Sequence, residues 1–287
     1  MRAKILSWLS ALTAGGIAVG CSRAGVERIE WTVMGTVAAV QTRGATPEKT
    51  AAAVRAVKDE FARLERLLNA HDPNSELSTL APLSEKEILE RCDKSVRPCY
   101  QMAFELMEKS GGAFNPRWRG PGTIDLGAIA KGFAVDLAAY ACDCNWSGDG
   151  DLLLDLGGNL LAVRGEWRAG IAGTDAVIPL SESFACATSA EYYRGKHIRD
   201  GRTGQVVSNG VVSVTVEVPG SAMEADGLST TLFVLGPEEG RRFLDERWNT
   251  LGVQAVWFMS DGRRVSHLSH ASSVPRTSAR GGTGLKR

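Results

Sequence analysis

The chain is poor in the residues that mark zinc, redox and common nucleotide-binding proteins. Its 287 residues include only four histidines and six cysteines. Cys142 and Cys144 stand too close for the usual C-x2-C pair, and no second pair follows, so zinc-type spacing is absent. Lysine plus arginine equals aspartate plus glutamate at 33 each, and a formal net charge of zero does not suit a general nucleic-acid binder. No G-x-G-x-x-G lies between a strand and a helix, which argues against a Rossmann site. The GGTGLK string at 281–286 is only faintly like a phosphate loop, because no strand or helix pattern flanks it. A G-x-S-x-G nucleophile elbow is missing as well.

Long apolar runs are also scarce. Ile5 to Val19 is mostly apolar but too short to span a membrane comfortably, and it follows Arg2 and Lys4, the pattern of a targeting segment. It ends in Ala18-Val19-Gly20-Cys21, which is similar to a bacterial lipobox with Ala18 where leucine is usual. Residues 1–20 are therefore expected to be a lipoprotein-type signal, with a lipid anchor on Cys21 at the periplasmic side of a bacterial membrane. An uncleaved anchor and an ordinary secretory signal are the alternatives. In each case the protein works outside the cytoplasm, where disulfides are permitted. Cys92 and Cys99 are candidates to pair, and Cys186, in an apolar run, reads as a buried thiol.

With 44% hydrophobic residues, the chain can bury a sizeable core. After a tether at 21–30, Trp31 to Gln41 reads as a strand, and Pro47 to Leu68 as an amphipathic helix capped by Thr46. Residues 84–110 hold one or two helices, closed by Gly111-Gly112. Strand–turn–strand follows around Gly157-Gly158-Asn159. Further strands are expected at 167–172, 183–188 and 211–218. Two helices, 221–235 and 237–248, precede a hairpin around Asp261-Gly262. From about residue 269 the chain is polar and glycine-rich, and 269–287 is expected to be a disordered tail. The sum is a single α/β (α+β) domain over 31–268, with mixed sheets and packed helices and no Rossmann unit.

Three stretches carry possible chemistry. In TIDLGAIAKGFAVD, residues 123–136, small residues open a helix, and Lys131 adds a charge where free N–H groups attract anions. That suits a phosphate or diphosphate; a packed helix with a snorkelling lysine fits the stretch equally well. In ADGLSTT, residues 225–231, Asp226 and Thr230 share a helical face, offering hard oxygen donors for Mg²⁺. An acid stabilised by a helix N-terminus is the plainer reading. In HIRDGRTG, residues 197–204, His197 is a candidate general base that Asp200 would orient; a solvated surface turn is the alternative.

Taken in order, these pieces resemble the ApbE family of FAD:protein FMN transferases. The matching segments are Met34-Gly35-Thr36, DPNSELSTL at 72–80, SGGAFNP at 110–116, IDLGAIAKGFAVD at 124–136, LLDLGGNL at 153–160, WRAGI at 167–171, 187–204, and 213–236. The resemblance implies an Mg²⁺-dependent extracytoplasmic enzyme that splits FAD, moves FMN to a Thr or Ser hydroxyl of an acceptor flavoprotein, and releases AMP. It places metal ligands at the Ala128 carbonyl, Asp226, the Ser229 carbonyl and Thr230. FAD contacts fall on Met34, Ala113, Phe114, Asn115, Asp125 and Lys131, with His71 where an aromatic ring would stack on the flavin. His197 becomes the base for the acceptor hydroxyl.

The chain also departs from the family pattern. Only Arg117 to Ile124 separates Pro116 from Asp125, where relatives carry a long stretch. Asn115 replaces an aspartate, and Gly201 replaces a proline. Two other activities stay open: hydrolysis of FAD to FMN and AMP, and FAD binding without turnover.

Overall fold

The computed structural model describes residues 18–19, 25–143, 146, 150–171, 174–191, 195, 197–248 and 250–268. Cys21, most of the expected signal segment and the expected tail at 269–287 lie outside the described residues.

Alternation of apolar and polar residues builds one broad sheet. Its strands are β1 (Ala18–Val19), β2 (Val26–Val33), β3 (Thr36–Arg43), β4 (Asp151–Leu156), β5 (Asn159–Arg164), β8 (Phe184–Ala190), β9 (Val211–Pro219), β10 (Gln254–Met259) and β11 (Arg264–Leu268), hydrogen-bonded in that order. A separate ribbon pairs β6 (Trp167–Gly170) with β7 (Val177–Leu180). The α+β class agrees with the reading of the sequence, but every pairing among the described strands is antiparallel, so the sheet is not mixed in direction.

The single strand expected at 31–41 is a hairpin. β2 starts at Val26, inside the stretch read as tether, and pairs with β3 from Val26–Arg43 to Val33–Thr36. Met34 and Gly35, with φ of 50° and 68°, make the two-residue turn whose twist suits adjacent strands.

The described residues include the helices α1 (Pro47–Leu68), α2 (Glu76–Leu80), α3 (Glu85–Arg91), α4 (Arg97–Lys109), α5 (Ala130–Asp143) and α6 (Ala222–Phe243), of which α1, α5 and α6 lie against the sheet. Thr46 caps α1 through the Lys49 amide, and Ser84 with Glu87 forms a capping box on α3. α6 is broken at Gly236 (φ 72°, ψ 176°) just before Pro237, where the sequence divides two helices. Asn209 Nδ2 satisfies the carbonyls of Phe233 and Val234 that the break leaves free. The second half runs into a π-helical turn, Leu244–Trp248.

The period-2 pattern of β4 explains the two cores. Leu152 and Leu154 enter the main core beneath the helices, whereas Leu153 joins Trp167, Leu180 and Cys186 in a small cluster under the β6–β7 ribbon. Cys92, Cys99, Cys142 and Cys186 are all buried and free, so the Cys92–Cys99 disulfide is not formed. Cys99 belongs to the packed face of α4, and burial pushes its thiol well above the usual range, keeping it protonated.

Candidate active site

The site forms where α5 and the first half of α6 approach too closely for side chains between them. A Cβ on Gly132 would overlap the Ala222 carbonyl and come within 2.8 Å of the Asp226 Cβ. Asp136, one turn further along α5, caps α6. Its carboxylate accepts from the Ala222 amide (2.6 Å), the Met223 amide (3.0 Å) and the Ser221 hydroxyl (3.1 Å). These bonds satisfy donors at the start of α6. Burial nevertheless raises the Asp136 carboxyl to about 6, with the charge of Glu224 adding to the effect.

The close approach brings Asp226, buried at 5% exposure, onto the first turn of α5. Its Oδ2 accepts from the Gly132 amide at 3.0 Å and lies 3.5 Å from Lys131 Nζ. α5 begins at Ala130, so the Gly132 amide is one of the first-turn donors without an intrahelical acceptor, and Asp226 satisfies it. Lys131 Nζ in turn donates to the Gly127 carbonyl at 2.6 Å. On the other side, Ser189 at the end of β8 touches the Ser229 hydroxyl at 2.8 Å and the Thr230 hydroxyl at 2.9 Å.

The residues expected to hold Mg²⁺ therefore fit a hard cation. One buried carboxylate, the Thr230 hydroxyl and the carbonyl of Ala128, which lies just before α5, offer oxygen donors of the right kind. No cluster of three or more His, Cys, Asp or Glu suited to a metal exists among the described residues. A set with one carboxylate among hydroxyl and carbonyl donors does not need one.

A continuous path of contacts leads from Asp226 to the His197 turn. Asp125 Oδ1 accepts from the Gly127 amide at 2.9 Å, and Gly127 meets Lys131 as above. Asp125 Oδ2 faces Arg119 at 3.1 Å and Trp118 Nε1 at 3.4 Å. The Arg199 guanidinium lies 5.4 Å from the centre of the Trp118 ring, on the 197–204 turn. That turn also docks on the 112–115 segment, because the Gly201 amide donates to the Ala113 carbonyl at 3.1 Å and Asn115 Nδ2 donates to the Gly201 carbonyl at 3.0 Å.

Other expected residues stand in different settings. The Ala113 and Phe114 side chains are buried in the main core, so they can meet a ligand only through their backbone. Met34 is held by its amide on Glu65 Oε1 at 2.9 Å, and His71 is exposed in the turn after α1, with its amide on Asn69 Oδ1 at 2.9 Å. Neither bond reaches the Asp226 group. His197 is exposed, and its Nδ1 lies 2.8 Å from the Gly195 carbonyl. Asp200 does not orient it. The Asp200 carboxylate is engaged by the Arg202 guanidinium at 2.7 Å, which holds it below the usual range. The two are neighbours in one tight turn, and a permanent cation is the stronger partner. Sequence reading missed Ser189, Asp136 and Trp118. Ser189 and Asp136 sit inside the matched segments, yet only the pairing of β8 with α6 and of α5 with α6 gives them a role.

The same architecture occurs in solved flavin transferases. An apo crystal structure of a Pseudomonas stutzeri flavinyl transferase ApbE superposes with a TM-score of 0.68 at 22% identity, over 85% of this chain and 94% of that one. A Vibrio cholerae flavin transferase ApbE superposes with a TM-score of 0.67 at 21% identity, over 85% of this chain and 98% of that one. The ApbE family model matches residues 34–121 and 117–257. The chain belongs to the ApbE family, and it is an enzyme of that class. A Treponema pallidum relative named FAD:protein FMN transferase is 29% identical over 319 aligned positions, covering 80% of this chain and 84% of the relative. A Klebsiella pneumoniae protein of the same name is 31% identical, over 43% of this chain and 40% of its own length. The two family segments meet at 117–121, in the short loop before Asp125.

Proposed function

We propose that this chain transfers the FMN half of FAD to a Thr or Ser hydroxyl of an acceptor flavoprotein, with Mg²⁺ required and AMP released. The observation that carries the reading is the meeting of the buried Asp226 carboxylate with the first turn of α5, through the Gly132 amide and beside Lys131, with Thr230 one turn further along α6. The names of the family relatives supply the substrate.

In this reading Ala128, Asp226, Ser229 and Thr230 hold the cation, and bound Mg²⁺ supplies positive charge against the phosphates. Lys131 places its ammonium next to the same carboxylate and meets the diphosphate. Met34, His71, Asn115 and Asp125, with the backbone of Ala113 and Phe114, line the rest of the FAD site. The acceptor oxygen attacks the phosphorus of the FMN half, forming a phosphoester bond. The bond from that phosphorus to the bridging oxygen breaks, and AMP leaves with that oxygen. His197 takes the hydroxyl proton; its exposed position suits a base that must meet a macromolecular partner.

Extracytoplasmic location with a lipid anchor on Cys21 is part of the same proposal. No helix among the described residues is long and apolar enough to cross a membrane. The test is incubation with FAD, Mg²⁺ and a flavoprotein carrying an acceptor threonine, followed by denaturing electrophoresis. A fluorescent acceptor band is expected, and its absence with FAD left intact overturns the reading.

A further inference from the structure

We propose that Trp118, in the short loop before Asp125, is a positioning residue that joins the nucleotide side of the site to the His197 turn. The inference rests on the transferase reading and extends it to the segment where this chain is most abbreviated.

Trp118 is half-buried and uses its ring edge and its ring face for different partners. The edge Nε1 donates to Asp125 Oδ2 at 3.4 Å. The ring also meets two guanidiniums, Arg119 at 4.8 Å and Arg199 at 5.4 Å from the ring centre. A cation over an indole face is attracted by the ring quadrupole. Arg119 also reaches the Asp125 oxygen that Trp118 touches, so one carboxylate and one ring bind the same arginine. Arg199 donates to the Gly204 carbonyl at 3.1 Å and pairs in an isolated bridge with Val206, so its hold on Trp118 is a hold on the whole turn.

A second attachment lies beside the first. A Cβ on Gly201 would overlap Asn115, and the Asn115 amide group donates to the Gly201 carbonyl. A carboxylate at 115 has no proton to give that carbonyl, and any side chain at 201 would force the segments apart. Asparagine at 115 and glycine at 201 are thus matched to each other, and with Trp118 they seat the turn on the loop at two points. The segment from Arg117 to Ile124 does by side-chain stacking what a longer segment would do by enclosing the site.

The two uses of the ring are separable by substitution. Trp118→Phe keeps an aromatic face and removes the Nε1 donor; Trp118→Ala removes both. FAD affinity, read by flavin fluorescence with Mg²⁺ present, should weaken about fivefold in Trp118→Phe, the size of one ordinary hydrogen bond. In an Asp125→Ala background the same change should fall below about twofold, because that variant leaves no side-chain oxygen for the donor to act through. An equal factor in both backgrounds, or no change in either, overturns the proposal. Hydrogen exchange at the Gly201, Gly204 and Val207 amides should stay near that of the unaltered protein in Trp118→Phe and speed up about tenfold in Trp118→Ala. Unchanged exchange in the alanine variant also overturns it. An unaltered chain that binds FAD but transfers no FMN defeats only the transferase reading, since the affinity cycle still reports on Trp118. Failure to bind FAD at all defeats both.

Discussion

The Gly132 amide donates to Asp226 Oδ2 across the α5–α6 contact, at 3.0 Å. This bond ties the start of α5 to α6, because a first-turn amide of one helix is satisfied by the carboxylate of the other. Glycine at 132 is required by sterics and not by backbone conformation, since a Cβ there would overlap the Ala222 carbonyl. Gly132→Ala should destabilise the fold by about 1–3 kcal/mol, as overpacked cores do, and abolish Mg²⁺-dependent turnover. Urea unfolding and FAD consumption measure the two effects; a variant with normal stability and normal Mg²⁺ response would refute the packing argument.

Asp226→Ala leaves Lys131 without its ion-pair partner and removes the one carboxylate of the cation set. Mg²⁺-dependent turnover should vanish, and full activity in this variant would refute the metal assignment.

Ser189→Ala removes the hydroxyl that touches both Ser229 and Thr230. The Mg²⁺ concentration for half-maximal turnover should rise roughly tenfold, the usual cost of losing a group that orients a ligand. Titration of activity with Mg²⁺ checks this, and an unchanged midpoint counts against it.

Asp136 gives the fold a defined pH dependence. Its carboxyl is raised by burial from 3.8 to about 6. Between those values the folded protein binds more protons at this site than the unfolded chain, so its contribution to stability is fully present below pH 3.8 and is lost as pH rises through about 6. The corresponding free energy is about 3 kcal/mol. Asp136→Asn cannot titrate, so the stability difference between variant and unaltered protein should change by that order across the window. Urea unfolding at a series of pH values measures it, and a difference independent of pH would contradict the assignment.

Gly201→Ala tests whether the seat of the turn matters to the chemistry. A Cβ there would overlap Asn115 and displace the turn that carries His197. FMN transfer should fall about 10- to 100-fold, as misplaced catalytic groups do, and by more than any loss of FAD affinity caused by pressure on Asn115. Equal losses in binding and transfer would show that the turn serves the FAD site instead.

Much of this fold was legible where local rules agree. Pro47 to Leu68 has a cap, a first-turn proline and a clean apolar stripe, and the helix has those limits. Gly236-Pro237 announces a break, and one is present. Val26 to Glu30 was obscured because its charged residues are interspersed with apolar ones on a half-covered strand, which on local grounds looks like a polar tether. β7 was missed because it is four residues long and contains a proline. At the site, spacing put Asp226 and Thr230 on one helical face and Lys131 at a helix start, and both placements are present in α6 and α5. The Gly132–Asp226 bond, the Ser189 bridge and the Trp118 joint connect residues far apart in the chain, so no local pattern holds them. Asp200 misled for the opposite reason: it is near His197 in sequence, and nearer still to an arginine.

The central claim is transfer, and it is tested most directly by counting both halves of FAD in one reaction. With Mg²⁺ and an acceptor flavoprotein, AMP released and flavin bound covalently to the acceptor should rise together in equal amounts, and both should fall to background in Asp226→Ala. AMP released with free FMN and no flavin on the acceptor would contradict the account and identify a hydrolase.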